Sequence, residues 1–268
     1  MSATQHDFEV LSCGQAAQDV WHMSIHSEVA AELEPGQFVN IHVPGDGAHI
    51  LRVPLSFSHA DSKNGVVELY FAVVGEGTQR LAAMAPGDRS TLVGPCGVGW
   101  KLPARQGRAL LVAGGIGLPP IVAAARMLVS AGIGFDAVVG AQTSDKHVED
   151  LLDCLRTLCK DEGCDCARKV VLTTDNGTRG IAGFTTQAME GLLAENPYAC
   201  VYTCGPHPMM AGVAHLAKGS GIACQASLEA MMGCGFGACS CCNVALKGGG
   251  YALCCSDGPV FDAEEVAW

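Results

Sequence analysis

The sequence predicts a multidomain chain in three successive parts. These are an antiparallel β-barrel over residues 1–102, an α/β domain on a parallel sheet over 103–223, and a small cysteine-rich domain over 224–268. Three observations lead there. Residues 8 to about 100 alternate in polarity or run in β-branched side chains, separated by PG, DG and NG turn signals. From Arg108 onward, short apolar runs alternate with helical stretches. Finally, six of the fifteen cysteines fall between Cys234 and Cys255.

In the first part FVNIHV, VVELYFAVV and STLVG read as strands, while PGQFV, APGD and GPCGVG punctuate them. Helical periodicity is confined to the region around Thr78–Met84, and about six strands fit a barrel. In the second part ALLVA reads as a buried strand, GGIG as a glycine turn and PPIVAAARMLV as a helix opening on proline. FDAVVGA, KVVLTT and ACVYTC are further strands, with helices expected around Val148–Lys160, Thr185–Glu195 and Pro208–Lys218. The uncharged run from Ala109 to Ala125 approaches membrane-span length. Its paired Gly and paired Pro fit a strand–turn–helix better than a membrane helix. The third part has too little apolar content for a core of its own, so something must staple it.

A chain of 268 residues suits two or three small domains, and with 16% charged and 49% hydrophobic residues it should be compact. The net charge of −11 argues against nucleic acid and against an anionic membrane surface as partners. MSATQHDFEV has neither a basic nor an apolar leader region, so a cytoplasmic location is expected. There, fifteen cysteines act as thiols or metal ligands rather than as a disulfide framework.

Cys234, Cys239 and Cys242 stand in C-x4-C-x2-C, the plant-type [2Fe–2S] spacing, which a distant fourth thiolate completes. The glycines of CGFGAC let the loop curl so that backbone N–H groups can face sulfur. The spacing leaves Cys254 and Cys255 both open as the fourth ligand. A zinc ribbon would pair two C-x2-C knuckles, and only Cys239–Cys242 makes one. Cys154, Cys159, Cys164 and Cys166 form a second group, read as buried or incidental thiols. VAGGIGLPP places a glycine turn at a helix N-terminus, where unpaired N–H groups and the helix dipole favour a pyrophosphate. TCGPHPMM ends a later strand, at the edge where open α/β sheets bind ligands.

Together LRVPLSF, VGEGT, GPCGVGW, VAGGIGLPP, YTCGPHPMM and CGFGACSCC…CCSDGPVFDAEEV resemble the ferredoxin reductase superfamily. More narrowly, they resemble the electron-transfer subunits of type B dihydroorotate dehydrogenase, over nearly the full chain and in the same order. The resemblance implies an FAD-binding barrel, an NAD(P)-binding α/β domain and a [2Fe–2S] domain. It maps Val53, Pro54, Leu55 and Ser56 to the stretch along the flavin ring and ribityl chain. Tyr70, Phe71 and Ala72 map to the next flavin-contacting strand, and Gly77 and Thr78 to the pyrophosphate turn. It maps Gly114, Gly115, Ile116 and Gly117 to the nicotinamide nucleotide loop, and Cys204, Gly205 and Pro206 to the motif near the nicotinamide ring. It also selects Cys255 over Cys254, giving Cys234, Cys239, Cys242 and Cys255 as cluster ligands.

Three departures stand out, one of them Phe71, which stands where a basic residue is common. The family commonly has Arg where this chain has Val53; Arg52 stands one place earlier, where related reductase subunits of the R-I-P-L-T type carry it, and is the arginine the resemblance implies for the flavin. Asp175–Gly180, DNGTRG, replaces a usual D-D-G-S-Y-G.

What the resemblance implies is an oxidoreductase subunit. A flavin accepts the two electrons of a hydride from NAD(H), NADP not being excluded, and releases them singly to a one-electron cluster. The implied partner is an FMN-containing dehydrogenase subunit or another flavoenzyme, in a heterotetramer, with the substrate chemistry on that partner. No catalytic acid or base is evident in this chain. A reductase subunit feeding a different partner, or a redox-sensing module that binds FAD without turnover, would share the same motifs.

Overall fold

The computed structural model describes residues 3–45, 50–158 and 169–268. Strands β1 (Thr4–Ala17), β2 (Val20–His26), β3 (Phe38–Ile41), β4 (Val53–Asp61), β5 (Val66–Ala72) and β6 (Arg89–Cys96) close into a barrel in the order β1-β2-β5-β4-β3-β6. Every pairing is antiparallel, and the ladder from β6 back to β1 removes the free edges. The period-two pattern of β5 turns Val67, Leu69 and Phe71 into the barrel core with Phe8, Met23, Ile25, Val39, Ile41 and Leu92. A short helix, α1 (Glu76–Ala82), follows β5. Thr78 fixes its first turn, since the Thr78 hydroxyl accepts from the N–H groups of Val74 and Gly75 and donates to the Gly75 carbonyl.

The second part runs β7 (Arg108–Gly114), α2 (Leu118–Ser130), β8 (Phe135–Ala141), α3 (Glu149–Thr157), β9 (Val170–Thr174), the two-residue β10 (Ile181–Ala182), α4 (Thr185–Glu195), β11 (Tyr198–Cys204) and α5 (His207–Gly219). The sheet order is β10-β9-β8-β7-β11-β12-β15, where β12 is Ala223–Ser227 and β15 is Val260–Asp262. All pairs are parallel except β12 with β15. Helices α2 and α3 cover one face and α4 and α5 the other. The strand order reverses between β7 and β11, which puts a crevice at their carboxyl ends.

The uncharged run at 109–125 is strand, turn and helix, as the glycine and proline pairs require. Among the described residues no helix is long and apolar enough to cross a membrane. The helix expected around Val148–Lys160 spans Glu149–Thr157, and Cys159, Lys160, Cys164 and Cys166 lie outside the described residues.

The cysteine-rich segment solves its shortage of apolar residues by sharing. β12 and β15 extend the α/β sheet, while β13 (Asn243–Ala245) and β14 (Tyr251–Leu253) make a small hairpin. One core cluster unites Cys242, Val244, Ala252, Cys254, Cys255 and Phe261 with Leu110 and Val201 of the sheet, with Met210 of α5, and with Phe38 and Cys96 of the barrel. All three parts of the chain therefore meet in one packed volume. The seam is reinforced where the Trp100 indole donates to the Pro120 carbonyl at 3.0 Å, and the Tyr202 hydroxyl and Gln225 amide donate to the Lys101 carbonyl at 2.7 and 2.8 Å.

Candidate functional site

Strands β4 and β5 part company at one end of the barrel. Their ladder runs from Asp61–Val66 to Phe57–Leu69 and stops there. Beyond it, Val53–Ile41 through Ser56–Phe38 pair β4 with β3, and Tyr70 through Ala72 pair β5 with β2. The facing edges of Val53–Ser56 and Tyr70–Ala72 thus carry no ladder to each other, and backbone groups on such edges can serve a ligand. Val53, Pro54, Ser56 and Ala72 are half-buried along these two lips. Two of the side chains singled out in the sequence turn elsewhere. Phe71 points into the barrel core. Tyr70 is buried, stacks on His22 at 4.5 Å and packs with α2. Burial pushes the Tyr70 phenol up to about 12, helped by Asp150 and Glu68. Tyr70 and Phe71 can therefore offer this edge only their backbone. Arg52 reaches across the end of β3, where its guanidinium donates to the Thr91 carbonyl at 3.2 Å, to the Thr91 hydroxyl and to Gln5 at 3.3 Å.

The two glycine motifs of the α/β part, ninety residues apart in sequence, are packed against one another. β7 and β11 are neighbours in register, Ala113 beside Cys204, so the turns that follow them share the same crevice. A Cβ on Gly117 would lie 2.2 Å from the Cys204 carbonyl oxygen, and one on Gly114 2.5 Å from the Met209 sulfur. Gly205, at φ +154, would place a Cβ 2.8 Å from Met209 and 2.9 Å from the Gly114 oxygen. Here glycine is demanded by close approach, and Met209 is a wall the sequence did not single out. Gly115, at φ +54, opens into free space, and Ile116 is exposed beside it. Burial holds the Cys204 thiol up at about 12, so it is neutral.

At the far end of the sheet edge, Asp175 is exposed just after β9. Arg179 in the same turn forms a two-pronged pair with Glu149 at the start of α3. The Glu149 carboxyl is held below its usual range chiefly by that bond, and the Arg179 guanidinium is raised by it in turn.

The terminal cysteines fall into two pairs. In the first, the Cys234 N–H donates to the Cys239 sulfur at 3.4 Å. In the second, the Cys255 N–H donates to the Cys242 sulfur at 3.4 Å. Two loop amides add to this: Ala238 N–H reaches the Cys234 sulfur at 3.3 Å and Gly237 N–H the Cys255 sulfur at 3.1 Å. Burial pushes the Cys234 thiol up, but the N–H groups of Phe236, Cys239 and Ala238 outweigh it and bring the thiol down to about 7. Cys255 is raised to about 12 by burial and by its bond with Cys242.

Cys254 is wholly buried and donates to the Leu228 carbonyl at 3.3 Å, away from these four, whereas Cys241 is exposed. No three His, Cys, Asp or Glu side chains among the described residues converge as the ligands of a single ion. Two pairs of thiols wrapped by N–H donors suit a two-iron centre, which takes two thiolates per iron, rather than one zinc.

Family models match all three parts. A model for the iron–sulfur cluster binding domain of dihydroorotate dehydrogenase B matches residues 229–267. An oxidoreductase NAD-binding domain matches 111–215 and an oxidoreductase FAD-binding domain 10–99. The electron transfer subunit of dihydroorotate dehydrogenase B (NAD(+)) from Geobacillus kaustophilus is 35% identical over 255 residues, covering 93% of either chain. The subunit from Desulforamulus reducens is 32% identical over 98% of either chain.

The chain belongs to the dihydroorotate dehydrogenase B electron-transfer subunit family. As a member it is an oxidoreductase subunit with FAD-, NAD- and iron–sulfur-binding domains. A solved structure described as an NADH-dependent reduced ferredoxin-NADP oxidoreductase is also similar. It is 30% identical, with a TM-score of 0.83, over 97% of this chain and 89% of the other. The ferredoxin reductase of carbazole 1,9a-dioxygenase, at 23% identity and a TM-score of 0.65, shares the fold. Asn40 belongs to none of the motifs named in the sequence, yet it reaches the cysteine loop. The signal was there, a single amide inside the apolar run FVNIHV.

Proposed function

We propose that this chain carries electrons between NAD(H) and a partner flavoenzyme, through FAD at the β4–β5 opening and a [2Fe–2S] cluster on Cys234, Cys239, Cys242 and Cys255. The observation that carries the reading is the pairing of these four thiols, each accepting a backbone N–H, in a loop packed against the flavin barrel. When bound, FAD supplies the conversion between two-electron and one-electron chemistry.

The chain's own residues bind and orient. The facing edges of Val53–Ser56 and Tyr70–Ala72 offer backbone groups to the ring. Gly77 and Thr78 shape the turn for the pyrophosphate, and the Gly114–Gly117 turn holds the dinucleotide against Cys204–Pro206. A dinucleotide laid from that turn along the carboxyl edge runs toward β8 and β9. There a 2′-phosphate would meet Asp175 and find Arg179 already paired with Glu149, so NADH is favoured over NADPH.

By analogy with the relatives' name, the partner is the dihydroorotate-oxidising subunit; the resemblance of the motifs adds that it is an FMN protein in a heterotetramer. The cytoplasm suits a chain whose described cysteines are all free thiols.

The test is the purified chain with its co-purifying partner. Flavin bands together with broad iron–sulfur absorption are expected, along with acceptor reduction by NADH well above that by NADPH. Absence of both chromophores, or silence with both nucleotides, sinks the proposal. Co-purification with a flavoenzyme that does not oxidise dihydroorotate redirects the partner while leaving the electron path standing.

A further inference from the structure

Asn40 lies on β3, with its backbone paired to Pro54 of the flavin-side strand β4 and to Val93 of β6. It is wholly buried, and its side chain leaves the barrel to reach the cysteine loop. There the Asn40 amide donates to the Cys234 carbonyl at 3.1 Å, a contact across 194 positions of sequence. Its Oδ1 meets no donor among the described residues. A buried amide with half its capacity unused is a poor packing element. The single bond it makes therefore accounts for its presence better than shape does.

That bond falls on a peptide with two available orientations. Gly235 sits at φ +80, a conformation glycine adopts without a Cβ penalty, and the peptide preceding such a residue can turn over at little steric cost. Because the peptide is planar and trans, pinning the Cys234 carbonyl to Asn40 turns the Gly235 N–H the opposite way. This peptide lies between the loop's donors to sulfur, the N–H of Cys234 on one side and those of Gly237 and Ala238 on the other, so its orientation bears on how they are aimed. Only glycine fits at 235 beside this contact, since a Cβ there would lie 2.4 Å from the Asn40 amide nitrogen. Phe38, two places earlier on the same face of β3, packs in one cluster with Cys242, Cys254 and Cys255.

We propose that Asn40 is a positioning residue for the iron–sulfur centre, a clip from the flavin barrel that selects one orientation of the Cys234–Gly235 peptide and so sets the N–H donation to the cluster sulfurs. The inference rests on the ligand reading above, and it assigns the barrel a hand in tuning the cluster. Hydrogen bonds to sulfur stabilise the reduced, more negative cluster, so loss of the clip makes reduction harder.

The experiment is a potentiometric titration and an electron paramagnetic resonance spectrum of reduced Asn40→Leu in the full chain, beside wild type. Leucine is neutral and close in volume, so a shift is not caused by added charge. The expected result is an assembled cluster with a more negative midpoint potential and altered g values, at undiminished flavin content. Asn40→Ala, which leaves space rather than a new contact, is expected to move both readouts the same way, and serves alone where leucine does not fold. Wild-type midpoint and g values in a folded variant overturn the proposal. A wild-type chain with no [2Fe–2S] signal overturns the ligand reading itself, and the clip with it.

Discussion

Cys254 and Cys255 are chemically identical neighbours that the fold sends to opposite duties. Cys254 turns into the core and donates to Leu228, while the Cys255 sulfur accepts the N–H of Gly237 beside Cys242. Cys255→Ser is therefore expected to abolish the iron–sulfur absorption. Cys254→Ser should retain it and lower stability by about 1 kcal/mol, since its hydroxyl inherits the Leu228 acceptor in an otherwise apolar site. Visible spectra of both variants, with chemical denaturation of the second, measure this. Bleaching in Cys254→Ser with colour kept in Cys255→Ser would reverse the assignment. Adjacent residues here are distinguished by which side of the turn they fall on, and cysteine spacing does not encode that. Asn40 was hidden for a related reason, because an amide in a strand reads as a local irregularity until its partner is known.

At the scale of elements, the sequence was most legible where period and punctuation agree. GGIG-LPP gave strand, turn and helix, and TTQAMEGLLAE gave a helix with the expected bounds, because glycine and proline fix the turns and the apolar spacing fixes the face. The parting of β4 and β5 was not legible. Register depends on which strands find each other, and β4 divides its pairing between β3 and β5 midway along its length. Nor was the contact between the two glycine turns, which exists only because β7 and β11 are adjacent.

That contact makes a prediction at its own scale. Gly117→Ala must displace the Cys204 carbonyl, because its Cβ would lie 2.2 Å away. With the turn shifted, the rate of flavin reduction by NADH should fall roughly 10–100-fold while flavin and cluster contents hold. Gly115→Ala meets no neighbour and bears only its positive φ, a strain of about 1–2 kcal/mol, so its loss should be smaller. Stopped-flow reduction of both variants decides the point, and equal losses would mean that backbone strain rather than close approach sets the turn.

Across the whole molecule, the cysteine-rich segment is both a cofactor loop and a structural part of the α/β sheet. β12 and β15 are sheet strands, and the core under them runs without a break from Met210 through Phe261 to Phe38. The glycine crevice and the β4–β5 edges, by contrast, use no residue from the loop between Cys234 and Cys242. Iron removal should therefore separate the chain's two tasks. After chelation of the reduced protein, the flavin should stay bound and bleach with NADH at its former rate, because the strands that hold the segment do not depend on the metal. Delivery to the partner enzyme should vanish, because the loop facing outward no longer carries an acceptor. Stopped-flow reduction and a coupled assay with the co-purified partner measure the two halves independently. A chain that loses its flavin together with its iron would mean that the cluster staples the fold itself. The shared core around Cys254 would then be too small to hold β15 in the sheet unaided.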